Sequence, residues 1–155
     1  MNYSPILIVS GEPNSIFLEL FFKVLKKDKI NSPIILISSK KLLTLQMQKL
    51  EFKKKIKLLQ VSKLKSYKLD NKTINLIDVK YNPGKAFEII SKKSNIFIKN
   101  SFDLAFQIIK KNNINQKDVV GSGESGKITK DDVLNLINNS LTTGNIIQIL
   151  IIWHV

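Results

Sequence analysis

Two stretches of this sequence place glycine, amide and charged side chains at spacings that suit phosphate or carboxylate chemistry. The first is Gly11-Glu-Pro-Asn-Ser15, which joins an apolar run to an amphipathic one. Gly11, Glu12, Pro13 and Asn14 are its candidate ligand-facing residues, because a turn that opens a helix presents free N–H groups and a positive dipole end. The alternative is a purely structural turn. The second is Gly121-Ser-Gly-Glu-Ser-Gly-Lys127, which fits the first seven positions of G-x-x-x-x-G-K-[ST]. Gly121, Gly123 and Gly126 would let successive N–H groups form an anion nest, and Lys127 would reach a terminal phosphate. The eighth position is Ile128, where the pattern needs a hydroxyl to hold Mg²⁺, and Thr129 comes one residue late. Three readings stay open for this loop: a polar connection between helices, a general anion-binding loop, or a nucleotide site.

Other chemistry is limited by residue type. The chain has no Cys and one His, His154, which removes disulfides, Cys-ligated zinc and Cys/His pairs and leaves a Ser/His/Asp triad, which would depend on His154 alone, nearly excluded. Asp78 closes an apolar run and is either a carboxylate at the rim of a sheet or a turn cap. Asp131 and Asp132 read as acids at a helix start or as cation ligands.

All 25 basic residues are Lys, set against 12 acids, for a net charge of +13 and a pI near 9.9. Such a balance points either to a polyanion partner or to the drift of an AT-rich coding sequence that favours Lys, Ile and Asn. The absence of Arg, the usual bidentate reader of guanine and phosphate, disfavours nucleic acid. The lysines are spread along the chain, with local density at 53–57 and 63–68. No run approaches the ~20 apolar residues of a membrane span, and residues 1–10 lack a basic segment ahead of an apolar one. A soluble, cytoplasmic protein that does not engage a membrane is the expectation.

The elements that must position these residues follow from periodicity. Residues 5–10, 33–37, 56–61 and 74–79 are short β-branched runs, predicted as buried strands. Between them, 16–27 and 40–50 read as helices, the first apolar on a wide face. Asn14 or Ser15 would cap the first helix and Ser38 or Ser39 the second. Residues 62–72 read as irregular. Asn82-Pro83-Gly84 marks a turn, with Gly84 supplying φ freedom. A long helix is predicted over 91–111, its stripe formed by Ile98, Phe102, Ala105, Phe106 and Ile109. Residues 118–120 suggest a short strand, 129–141 a helix and 146–153 a last strand. Alternation of strand and helix predicts an α/β fold with a mostly parallel sheet and helices on both faces.

The corner at Gly11 follows a strand and opens a helix, and it resembles the amino-terminal signature of the 4-hydroxythreonine-4-phosphate dehydrogenase family, Gly-Asp-Pro-Ala-Gly-Ile-Gly-Pro-Glu. Gly11, Pro13, Ile16 and Glu19 match in register and Glu12 is a conservative replacement, while Asn14, Ser15, Phe17 and Leu18 depart. Residues 33–38, 74–79, Pro83-Gly84 and Ser101-Phe-Asp-Leu-Ala-Phe106 are similar to that family's later blocks, in the same order. The resemblance spans about residues 4–113. It implies the first part of an isocitrate/isopropylmalate-dehydrogenase-like fold, with 1–113 a dehydrogenase-like region and 114–155 a divergent segment. It also implies NAD(P)-dependent oxidation of 4-phosphohydroxy-L-threonine in vitamin B6 biosynthesis, a small-molecule substrate, NAD or NADP, a divalent metal and a homodimer.

The family holds its metal with three His and carries Thr-x-Pro-x-x-Lys and Gly-His-Thr-Glu segments. This sequence has only His154, and where the first segment would fall it reads Val120-Gly-Ser-Gly-Glu-Ser-Gly-Lys127, with Lys127 alone in register. The chain is therefore expected to be an amino-terminal piece without full dehydrogenase activity. The same loop looks like the phosphate loop of heterotrimeric G-protein α subunits. A nucleotide- or phosphate-binding module and a non-catalytic basic α/β domain are the alternative functions.

Overall fold

The computed structural model describes residues 5–27, 30–111 and 148–151. The expectations for 112–147, including the glycine loop with Gly121, Gly123, Gly126 and Lys127, and those for the end of the last predicted strand and for His154, lie outside the described residues.

The β-branched runs become strands. β1 (Ile6–Val9), β2 (Ile34–Ser38), β3 (Ile56–Leu58), β4 (Ile74–Asp78) and β5 (Gln148–Ile151) form one sheet in the order β3-β4-β2-β1-β5. Every pairing is parallel: Ile6 lies opposite Ile34 and Gln148, Ile35 opposite Asn75, and Ile56 opposite Ile74. β1 and β2 are buried along their whole length, as a parallel sheet covered on both faces requires.

Among the described residues three helices supply that cover. α1 (Phe17–Lys27) and α2 (Lys40–Lys49) lie on the face that carries Ile6, Ile8, Ile34, Leu36, Ile74 and Leu76. Phe22 and Phe52 stack there with ring centroids 4.6 Å apart. α3 (Asn95–Lys111) covers the opposite face, where Leu7, Val9, Ile35, Ile37 and Ile77 meet Phe97, Ala105 and Ile108. The strand alternation of period two thus divides the core into two halves, one per face. The expected α/β fold with helices on both faces is present.

Of the local expectations, the two helix caps hold and others change. Ser15 caps α1, accepting from the N–H of Phe17 at 3.3 Å, and Ser39 caps α2, accepting from the N–H of Leu42 at 3.3 Å. α1 is buried on a narrower face than its composition suggests: Phe17, Leu18, Phe21 and Phe22 are buried, while Ile16, Leu20 and Val24, four residues apart, line its exposed side. β3 stops at Leu58 because Val61–Ser66 winds into 3₁₀ turns, which fold Leu64 into the core and leave Lys63 and Lys65 outside. A 3₁₀ turn, Lys92–Ser94, precedes α3.

The buried stripe of α3 runs through Phe97, Ser101, Ala105, Ile108 and Ile109. Phe106, expected on that stripe, is 47% exposed, because Phe97 packing on Tyr81 turns the helix about one residue from the expected face. Gly84 does not have a positive φ; among the described residues Gly11 is the only glycine that does, at 63°. What Gly84 provides is close approach, since its N–H donates to the Glu88 carboxylate at 3.0 Å and a Cβ would meet that oxygen. Among the described residues no helix is long and apolar enough to cross a membrane.

Candidate functional site

The carboxyl ends of β1, β2 and β4 share one rim of the sheet, the place where open α/β sheets receive ligands. Four segments meet there: the corner after β1, the start of α2, the loop after β4, and the turn into α3. The corner is possible because Gly11 takes a left-handed conformation that a side chain would strain. Gly11 and Pro13 are buried, while Glu12 and Asn14 are half-buried.

Glu12 organises the rim. One carboxylate oxygen accepts from the backbone N–H and side-chain amide of Asn14, at 3.1 and 3.3 Å. The other accepts from the Ser94 hydroxyl at 2.6 Å, a contact across 82 residues of sequence. Asn14 in turn accepts from the N–H of Glu88 at 3.1 Å. Gln46, fully buried on α2, donates its amide hydrogens to the carbonyls of Pro13 at 3.0 Å and Ala86 at 2.9 Å, tying two loops to one helix.

Tyr81 stands beside this network. Burial raises its phenol pKa above 10.0, hydrogen bonding with the Asn14 side chain lowers it, and the carboxylates of Glu88 and Glu12 raise it further. Asp78 accepts from the N–H of Lys40 at 2.6 Å, so it caps α2 across the sheet. Lys41 donates to Asn82.

Chemically, three of the corner's N–H groups are engaged from within. Those of Asn14, Ser15 and Phe17 go to the Glu12 side chain, the Glu12 carbonyl and the Ser15 hydroxyl. A carboxylate, not an anion-accepting nest, therefore occupies the entrance to α1 in this arrangement. Below it, the hydroxyls of Ser10 and Ser38 are buried and have no hydrogen-bond partner among the described residues. They follow aligned residues of β1 and β2, a polar pair beneath the rim.

The structure brings Gly11, Glu12, Pro13 and Asn14 into one corner; their relation to Gly121, Gly123, Gly126 and Lys127 lies outside the described residues. Ser94, Gln46, Tyr81 and Glu88 complete the rim and were not singled out from sequence. A buried Gln on an apolar helix face was the one available signal, since such a side chain needs partners. Among the described residues no group of three or more His, Cys, Asp or Glu could hold a metal. The donor set here does not fit the divalent metal that the family resemblance implies.

Comparison with known proteins gives two separate likenesses. The fold is similar to the crystal structure of a 4-hydroxythreonine-4-phosphate dehydrogenase from Burkholderia phymatum, with a TM-score of 0.60 and 18% identity over 70% of this chain and 33% of that one. The chain thus spans about a third of that structure's length. A family model described as the e3 binding domain matches residues 104–134. No curated protein matches. What these likenesses establish is a parallel α/β framework of the dehydrogenase's fold type, with a second resemblance that begins inside α3.

Proposed function

We propose that this chain carries the substrate-side α/β framework of an NAD(P)-linked oxidoreductase acting on 4-phosphohydroxy-L-threonine, and that it does not turn this substrate over by itself. The observation that carries the reading is the five-strand parallel sheet, whose fold matches that dehydrogenase and whose first corner keeps Gly11, Pro13, Ile16 and Glu19 in the family register. In this reading Gly11, Glu12, Pro13 and Asn14 form the rim that faces substrate. NAD or NADP would accept the hydride. The metal ligands would have to come from outside the described residues, which supply no such set.

The test mixes the protein with 4-phosphohydroxy-L-threonine, a divalent metal and NAD or NADP, following reduced cofactor by absorbance and substrate binding by calorimetry. Substrate binding without turnover is the expected result. Absence of any binding overturns the assignment to this substrate class, and sustained turnover overturns the claim of inactivity.

A second reading rests on the e3 binding domain match over 104–134, which includes the whole glycine loop. In it, Gly121, Gly123, Gly126 and Lys127 belong to a protein-docking segment for an E3 component and not to a nucleotide site. Co-precipitation with an E3 component is its direct test. Tight ATP or GTP binding that Lys127→Ala abolishes would restore the nucleotide reading.

A further inference from the structure

The two local densities of lysine, separate in sequence, are brought together by the fold. Residues 49–72 contain Lys49, Lys53, Lys54, Lys55, Lys57, Lys63, Lys65, Lys68 and Lys72 against Glu51 and Asp70 alone, a net charge of +7 out of the chain's +13. This stretch is β3, the edge strand beyond β4, with its flanks and the 3₁₀ turns after it. Lys57 on β3 donates to the carbonyl of Lys68 at 2.9 Å and sits 5.4 Å from the Tyr67 ring centre, so the 53–57 and 63–68 runs lie against each other. Lys49, Lys53, Lys55, Lys63, Lys65, Lys68 and Lys72 are exposed. The ion pairs among the described residues, Lys23 with Glu19 and Lys99 with Asp103, are both on helices, and none of the nine lysines belongs to one.

We propose that this lysine-lined edge of the sheet, residues 49–72, docks the phosphate backbone of a nucleic-acid duplex without reading its sequence. Unpaired like charges held together on one surface repel one another, and a partner of opposite charge relieves that repulsion. Extended chain rises ~3.3 Å per residue, so 53–57, which leads into β3, reaches over at most about 15 Å. That length faces about four phosphates of one duplex strand, spaced at ~3.4 Å along the axis.

The side chains select the partner class. Lys supplies point charges for phosphate and lacks the fork that reads base edges, which gives affinity without specificity. The absence of Arg therefore removes sequence reading and leaves phosphate contact intact. Single-strand binding needs exposed aromatic platforms, whereas Phe52 is buried and Tyr67 is half-buried under Lys57. A membrane surface needs apolar insertion, and Leu58 is the only large hydrophobic exposed in this stretch.

The test measures fluorescence anisotropy of a labelled random-sequence DNA duplex with the full-length protein across a salt series. Four to five phosphate contacts give a slope of log affinity against log salt near −4. Replacing Lys53, Lys55, Lys63 and Lys65 together by Gln is expected to weaken binding at least tenfold and flatten the slope by about three. The same four changed to Arg should keep it. The control, Lys80, Lys85, Lys92 and Lys93 changed to Gln, removes equal charge from exposed sites elsewhere and should lose less than threefold.

Equal losses in the two Gln variants would overturn the proposal in favour of net charge alone. A flat salt dependence would overturn it, as would binding to anionic lipid vesicles in preference to duplex. So would a 53/55/63/65 variant that aggregates with its duplex affinity unchanged, which would mark these lysines as edge protection only.

Discussion

The rim above β1 and the outer edge of β3 are both polar, yet they use polar groups in opposite ways. At the rim, Glu12 bonds to Asn14 and Ser94, Asn14 to Glu88, and Gln46 to the carbonyls of Pro13 and Ala86. At the edge, seven of the nine lysines are exposed, and none of the nine has a carboxylate partner among the described residues. The first arrangement holds the chain in one shape; the second leaves its charge for something outside. Removing a side chain should therefore cost stability at the rim and association at the edge.

The sharpest way to break that contrast is Gln46→Ala. It opens a cavity in a fully buried position and leaves the Pro13 and Ala86 carbonyls without donors, so a loss of about 3 kcal/mol is expected from denaturant titration. Glu12→Ala comes next, at about 2 kcal/mol, because hydrogen bonds to a charged acceptor are stronger but this carboxylate is only half-buried. A loss below 0.5 kcal/mol for both would erase the distinction between rim and edge.

Tyr81 gives a smaller, pH-dependent effect. Its folded pKa lies above the unfolded value, so the folded state holds the phenol proton more tightly. That contribution is fully present below about pH 10 and is lost as pH rises through the folded pKa. Wild type should lose stability relative to Tyr81→Phe across this alkaline window, and phenolate absorbance should show one tyrosine titrating late. The smallest effect belongs to the edge: the Lys53, Lys55, Lys63 and Lys65 Gln variant should stay within about 0.5 kcal/mol of wild type, as exposed substitutions do.

The fold was more legible than the site, for a physical reason. Runs such as 34–37, and Ile74, Leu76 and Ile77 on either side of the buried Asn75, announce themselves because a parallel strand covered on both faces is mostly apolar. Caps were legible too, since Ser15 and Ser39 stand where a helix needs an acceptor. Phe106 misled because nine apolar positions on α3 allow several stripes, and only contact with Tyr81 and the sheet selects one. The rim was hidden because its bonds join residues 12 and 94, 14 and 88, and 46 and 86, pairs with no local pattern. The lysine edge was half visible: two densities could be counted, but their meeting depends on the turn between Leu58 and Tyr67.

The place of β5 bears on how the protein is made. Among the described strands β1 leaves the ribosome first, and its second neighbour, β5, starts opposite Ile6 only at Gln148. At ~5–20 residues per second, translation leaves that flank of a wholly apolar strand open for on the order of ten seconds. Newly made chains thus share a window in which β1 can pair with a neighbouring nascent copy, and dense polysomes or slow codons late in the message should raise the yield of insoluble product.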